Sequence, residues 1–304
     1  MNSDRIERGL GAALALTLPL WLVLGCGKGT VDLTGVTYVS KIVVDGTLMP
    51  GKPVGDIRLM RNVPLGASVD SESIVLSGAQ ASITDGAGTA YPLTYNPATY
   101  SFENLVITVR YGATYRLDVT AEIDGVTHLA WATTTVPDSG FALLLAKSRL
   151  DTLAYRQRDE AGNILSFQVT FERIPDHEFY ALSVAALDAD TSTFIYDNAF
   201  YDFDAQDVID YFDELAYGFN WIQNAPPGPG ESDMEVFWFH ANFYGHYRGV
   251  VYAGDKNFRD FFVTQQNVQE IDGNFHEPTM HVEGDGIGVF GSALADTVYF
   301  YVSR

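Results

Sequence analysis

YRLDVTAEIDGVTHLAWATT, residues Tyr115–Thr134, is the stretch that decides the fold. Leu117, Val119 and Ala121 fall at every second position, so one face is apolar and the other polar, the period of a strand. Asp124-Gly125 follows, a pair that tolerates the positive φ angles a two-residue hairpin turn demands. Val126–Thr134 then resumes the extended pattern. Strand, tight turn and strand in immediate succession predict an antiparallel hairpin.

The same grammar extends towards the N-terminus. Val39–Val44 runs into Asp45-Gly46, and Ile57–Met60 follows the turn residues Pro53 to Asp56. Ala79–Thr84 ends at Asp85-Gly86-Ala87-Gly88 and Thr89–Thr94 resumes behind it, while Asn96-Pro97 precedes Thr99–Phe102. Short strands with turn signals at this spacing predict a β-sandwich over residues 32–137, closed by Val136-Pro137. His128 sits on its last strand, where a lone histidine reads as structural. The fold class expected is therefore mainly β, an N-terminal Ig-like or transthyretin-like sandwich followed by a larger antiparallel β domain over 150–304 with one inserted helix.

In that second region, Ile164–Arg173 alternates and Phe179–Leu187 follows across Pro175-Asp176, which predicts a second hairpin. The inserted helix is expected at Ala205–Tyr217, with Asp204 as N-cap and Asp207 three residues on. Val208, Ile209, Phe212, Leu215 and Ala216 form its apolar face. Pro226-Pro227-Gly228-Pro229-Gly230 is a loop. Strands are expected at Met234–Phe243, Gly245–Tyr252, Met280–Val282 and Thr297–Val302.

The N-terminus reads as an export signal. Arg5 and Arg8 precede an uncharged Leu/Ala-rich run, Gly9–Leu24, of 16 residues. That is shorter than the ~20 residues a membrane-spanning helix needs. Val23-Leu24-Gly25-Cys26 has the form of a lipobox, and Cys26 is the only cysteine of the chain. Residues 1–25 are expected to be removed, Cys26 to carry lipid, and residues 26–31 to act as a tether. Each buried methylene contributes ~0.8 kcal/mol to membrane attachment, so several acyl chains hold firmly. With one cysteine, no internal disulfide can form, and stability outside the cytoplasm rests on core packing.

Charge separates the two regions. Residues 31–150 carry 11 acids against 8 Lys/Arg, whereas 151–304 carry 26 against 7. A phosphate backbone is repelled by the second half, which argues against nucleic acid as a partner. Between Arg173 and Arg248 there is no Lys or Arg in 74 residues but there are 14 acids. Oxygen ligands at this density suit Ca²⁺, with Asp197, Asp202, Asp204 and Asp207 as the candidate ligands, although EF-hand spacing is absent and aspartates stepping along a helix commonly form a solvated face. His240, His246, His276 and His281, with Glu277 and Glu283, offer zinc-ligating residue types without a zinc motif's spacing.

No nucleophile elbow, Walker A loop or dinucleotide fingerprint is present, and Gly284–Gly291 (GDGIGVFG) precedes no predicted helix. Aromatic residues on strands usually fill a core. Tyr201, Phe203 and Trp221, in the irregular middle, are therefore the candidate ligand-binding residues.

Glu283–Phe290 (EGDGIGVF), with Gly291, Ser292 and Asp296-Thr297-Val298, resembles the C-terminal text of the DUF4249 family, Bacteroidetes-type lipoproteins of unknown function. Asn257–Gln266, Pro278 and Ser77-Gly78-Ala79-Gln80 share in the likeness. The resemblance implies an outer-membrane lipoprotein working beside a TonB-dependent transporter, and it supplies no catalytic residues. The expectation is thus a non-enzymatic binding or accessory lipoprotein of the cell envelope, its periplasmic or surface orientation open, with a glycan or peptide as ligand. The alternatives are a structural spacer and a carboxylate-dependent hydrolase.

Overall fold

Alternating burial along Thr114–Ile123 bears out the hairpin: Tyr115, Leu117, Val119, Ala121 and Ile123 point inward, and their neighbours are exposed or half-buried. The computed structural model describes residues 38–64, 67, 70, 72–175, 177–217, 229–265 and 277–304, and the backbone of 219–224. Cys26 and the export signal lie outside the described residues. Among the described residues strand makes up 49% and helix 11%, so the protein is mainly β.

Among the described residues the first region contributes β1 (Ile42–Leu48), β2 (Pro53–Arg61), β3 (Gln80–Asp85), β4 (Ala90–Pro92), β5 (Thr94–Asn96), β6 (Ser101–Thr108), β7 (Thr114–Ile123) and β8 (Val126–Thr135). β7 and β8 pair in unbroken register from Thr114–Thr135 to Ile123–Val126. Asp124 and Gly125 adopt φ of 54° and 79°, the positive pair expected of a two-residue turn. β3 extends this sheet beside β7, and β4 follows β3. The opposing layer runs β1-β2-β6-β5. Ile42, Val44, Ile57, Leu59 and Phe102 from one layer meet Leu117, Val119, Ala130 and Ala132 from the other in a single apolar core.

The second region contributes β9 (Ala142–Leu143), β10 (Leu153–Ala154), β11 (Phe167–Glu172), β12 (Phe179–Ala186), β13 (Phe219–Asn224), β14 (Glu231–Val236) and β15 (Gly245–Gly254). The hairpin expected across Pro175 is absent. β11 pairs with β14 and β9, whereas β12 pairs with β13 and β15, in a different sheet. The two strands face each other across the core, with the rings of Phe171 and Tyr180 at 4.6 Å. β12 is buried on both faces, which suits the interior of a sheet covered on either side.

The chain ends in β16 (Val282–Gly284) and an 18-residue strand, β17 (Gly286–Ser303), longer than the Thr297–Val302 expected. Its first half lies parallel to β1, from Ile42–Gly286 to Leu48–Ser292. Its second half lies antiparallel to β15, from Gly254–Ala293 to Gly245–Val302. β16 pairs with β8, so residues 282–292 complete the first sandwich and residues 293–303 the second. One strand therefore joins the two cores, and residues 40–304 form one unit.

The glycines of Gly284–Gly291 make that crossing sterically feasible. Gly288 has φ 105°, and a Cβ there would run into the Val44 carbonyl oxygen, with Val44 C and N 3.1 Å away. Gly284 has φ 77°, and a Cβ there would press on Trp131 at 2.7 Å. The motif is a close strand approach.

Asn257–Gln266, noted above only for its share in the family likeness, falls largely within a helix, Lys256–Gln265. The Asp255 carboxylate caps it, accepting from Phe258 N at 2.9 Å, and also accepts from Thr134 Oγ1 at 2.6 Å and Ser292 N at 3.1 Å. Asn257 donates to the carbonyls of Thr133 and Phe290. The helix start thereby ties β8 to the middle of β17, and Phe258 and Phe262 cover the outer face of β12.

Candidate functional site

The segment between β12 and β13 builds one wall of an aromatic pocket. Ile195 N donates to Asn242 O, and Tyr244 N to Thr193 O, which pins residues 193–195 beside the stretch preceding β15. Asn198 Oδ1 then accepts from Phe200 N at 2.8 Å and turns the chain outward.

Asp204 is the expected N-cap, in a capping box. Its Oδ1 accepts from Gln206 N and Asp207 N, while Asp207 Oδ2 accepts from Asp204 N at 2.9 Å. The single helix expected over 205–217 is two short ones, α1 (Ala205–Asp210) and α2 (Phe212–Ala216). Tyr211 interrupts them with φ −110° and ψ 19°, while its ring stacks on Phe203 at 5.8 Å. Val208 and Ala216 are buried, but Ile209 is 56% exposed, because the break ends the helix before a wider apolar face can form.

The other wall comes from residues expected to continue a strand to Phe243. That strand, β14, stops at Val236, and Trp238–His240 form a 3₁₀ turn. The buried Trp238 indole donates to Leu165 O at 2.6 Å and anchors the turn. Phe239 and His240 project beside it.

Two sets of rings border the pocket. Phe203 is sandwiched between Tyr201, at 5.1 Å, and Tyr211. Phe239 and His240 supply the second set, meeting edge-on at 4.0 Å, and Phe237 stacks parallel on Phe239 at 5.4 Å from outside the lining. The Tyr201 hydroxyl reaches the Phe239 carbonyl at 3.5 Å. Glu214, Leu215 and Asn242 complete the lining of a cavity of about 220 Å³. Burial holds the His240 imidazole down from its ordinary 6.5 to about 4, so the ring is neutral at physiological pH.

Of the three candidate ligand-binding residues, the structure brings Tyr201 and Phe203 together. Trp221 lies on β13 opposite Leu182, and its side chain is outside the described residues. The pocket also holds Phe239, His240 and Asn242. Their signal was the run Phe237-Trp238-Phe239, three successive rings that a one-face alternation cannot accommodate.

Of the four proposed calcium ligands the structure brings two together, Asp204 and Asp207, in one capping box. Asp204 and Asp207 cap α1, Asp202 is exposed, and Asp197 lines a separate cavity beside Arg156 and Arg158. Among the described residues no group of three or more His, Cys, Asp or Glu side chains is placed to hold a metal. The histidines weighed for zinc are dispersed: His246 bonds Asp188 and His281 bonds Asp260, each in a separate pair, and His276 lies outside the described residues.

A larger cavity, about 590 Å³, opens where the sandwiches meet, near His177, Glu178, Asp255 and Arg259. Burial raises the Asp255 carboxyl, but both its oxygens are engaged in the helix cap and the strand junction. That cavity reads as the seam of the fold.

Fold and pocket together define a mainly β protein of two sandwiches sharing one strand, with an aromatic pocket in the acidic second half. The sequence model of DUF4249, a domain of unknown function, matches residues 30–297, and the chain belongs to that family. No curated protein matches it. Among solved structures, a segment of two fibronectin type III domains from chicken tenascin aligns at 9% identity and a TM-score of 0.19, over 70% of this chain and 88% of that one. At that score the alignment adds nothing to the architecture read from strand pairing.

Proposed function

We propose that this protein is a lipid-anchored, non-enzymatic binding protein of the cell envelope, which holds a small ligand or a peptide side chain in the aromatic pocket. The observation that carries the reading is the pocket itself, concave, walled by two sets of packed rings and furnished with few polar groups, as ligand sites commonly are. Among the described residues Glu214 is the one carboxylate lining it, so these residues do not supply the paired carboxylates of glycoside hydrolysis there. The anchor rests on Val23-Leu24-Gly25-Cys26. An outer-membrane location and a TonB-dependent transporter as partner belong to the same proposal and rest on the family likeness.

Two measurements test it. Cys26→Ser should abolish lipid labelling and leave the precursor unprocessed; normal processing and membrane retention of that variant refute the anchor. Tyr201→Ala should remove ligand-induced fluorescence changes while leaving the unfolding transition in place. Ligand response unaltered by that change refutes the pocket.

A further inference from the structure

Asn242 is 4% exposed and lines the pocket. Its Nδ2 donates to the Leu215 carbonyl at 3.1 Å, satisfying an acceptor near the end of α2 and setting which way the amide faces. Its Oδ1 has no hydrogen-bond partner among the described residues. Nearly every buried amide oxygen in a folded protein has a donor, so an orphan at a ligand-sized cavity points to a donor arriving from outside.

The rest of the wall narrows what that donor is. Glu214, exposed at the rim, is an acceptor and negatively charged. Among the described residues no Lys or Arg lines the cavity, and none occurs in the sequence between Arg173 and Arg248. His240 is held neutral by burial and places no positive charge there. Phosphate or carboxylate ligands would meet acceptors and a like charge. A sugar hydroxyl needs donors as well as acceptors; the described wall donates through the Tyr201 and Tyr211 hydroxyls and the His240 ring N–H, and a neutral sugar leaves the Glu214 charge without a counterpart. An ammonium group donates only, carries the complementary charge and is attracted to aromatic rings.

Building on the binding reading above, we infer that the pocket takes a primary ammonium group on an apolar stem, the chemistry of a lysine side chain in a peptide. Asn242 Oδ1 and Glu214 accept its N–H groups, while the rings of Tyr201, Tyr211 and Phe239 flank its methylenes.

The test uses the full chain and three probes: Nα-acetyl-lysine methylamide, its Nε-acetylated counterpart, and methyl glucoside, followed by calorimetry and by chemical-shift changes. The lysine probe should bind at least ~10-fold more tightly than its neutral counterpart, the range cation–π and charge complementarity supply. Glu214→Gln, at an exposed position that leaves folding alone, should erase most of that preference, and Asn242→Leu should weaken binding further where it folds. Equal binding of the two lysine probes overturns the ammonium assignment. So does methyl glucoside binding that Tyr201→Ala abolishes, although this second result leaves the binding pocket standing. No binding by any probe at millimolar concentration overturns both readings.

Discussion

Gly288→Ala should unfold both sandwiches together, because the altered residue sits on the strand they share. The methyl group meets two penalties. At φ 105° a non-glycine residue is strained by about 1–3 kcal/mol. The added Cβ also strikes the Val44 carbonyl, a backbone group held in the parallel register Val44–Gly288, so the seam must part, at about 2 kcal/mol for an overpacked contact. The sum, about 3–5 kcal/mol, is a large part of the ~5–15 kcal/mol that holds a typical domain folded. Gly162→Ala is the matched control, since Gly162 has φ 87° but nothing within 4 Å of its Cβ position, and should cost only about 1–2 kcal/mol. Urea denaturation should place the Gly288 midpoint well below that of the control, by about 1 M. Amide exchange should accelerate alike at Val44 in the first core and at Leu182 and Val251 in the second. If the two variants unfold within ~1 kcal/mol of each other, the seam is not clamped at Gly288. If Leu182 and Val251 stay protected while Val44 exchanges, the shared strand does not couple the cores.

Two further outcomes follow from buried polar groups. Tyr247→Phe should cost about 2–4 kcal/mol, because the hydroxyl serves both Phe243 N and Phe243 O at 2.8 Å inside the core, whereas Tyr115→Phe, which frees only Arg110 N, should cost about 1–2 kcal/mol. Calorimetric melting of the two variants decides the order, and equal losses would refute it. Stability should fall on acidification from pH 6.5 towards 4, since the unfolded chain protonates His240 through 6.5 while burial delays the folded ring to about 4. Solvent at one edge of the ring limits this to about 1–2 kcal/mol, and His240→Gln should flatten that part of the profile.

How much of this was legible depended on how many faces each element shows to water. β7 and β8 were readable because one face is wet and Leu117, Val119 and Ala121 alternate with polar neighbours. β12 was wrongly paired with β11 as a hairpin, because Tyr180, Leu182 and Val184 fill one core while Phe179 and Ala181 pack under Phe258 and Phe262, leaving no polar face to set a period. β17 was recognised only at its end for the same reason, with glycines where a side chain would mark the pattern. The Asp204 cap was legible from local chemistry alone. The break at Tyr211 was not, since it depends on stacking against Phe203. Tyr201 and Phe203 were singled out as rings in an irregular acidic segment, but Asn242 was hidden: an asparagine within an aromatic run gives no sign that its oxygen will lack a donor.

The resemblance carried by Glu283–Ser292 and the ligand question now come apart. Gly284, Gly286 and Gly288 are glycines because the backbones of Leu129 and Val44 and the side chain of Val282 leave no room for a Cβ, and Gly291 because Phe258 N lies 3.0 Å from where one would stand. Ser292 belongs to the Thr134–Asp255 junction at the start of the helix. These constraints concern how β16 and the shared strand β17 pack against β8, β1 and the helix start, and none touches the pocket of Tyr201, Phe239 and Asn242. A chain bearing this glycine-rich text is therefore expected to have the fused architecture whatever it binds. What it binds must be read from the segment between β12 and β15, where this protein sets rings and acceptors together and places no cation.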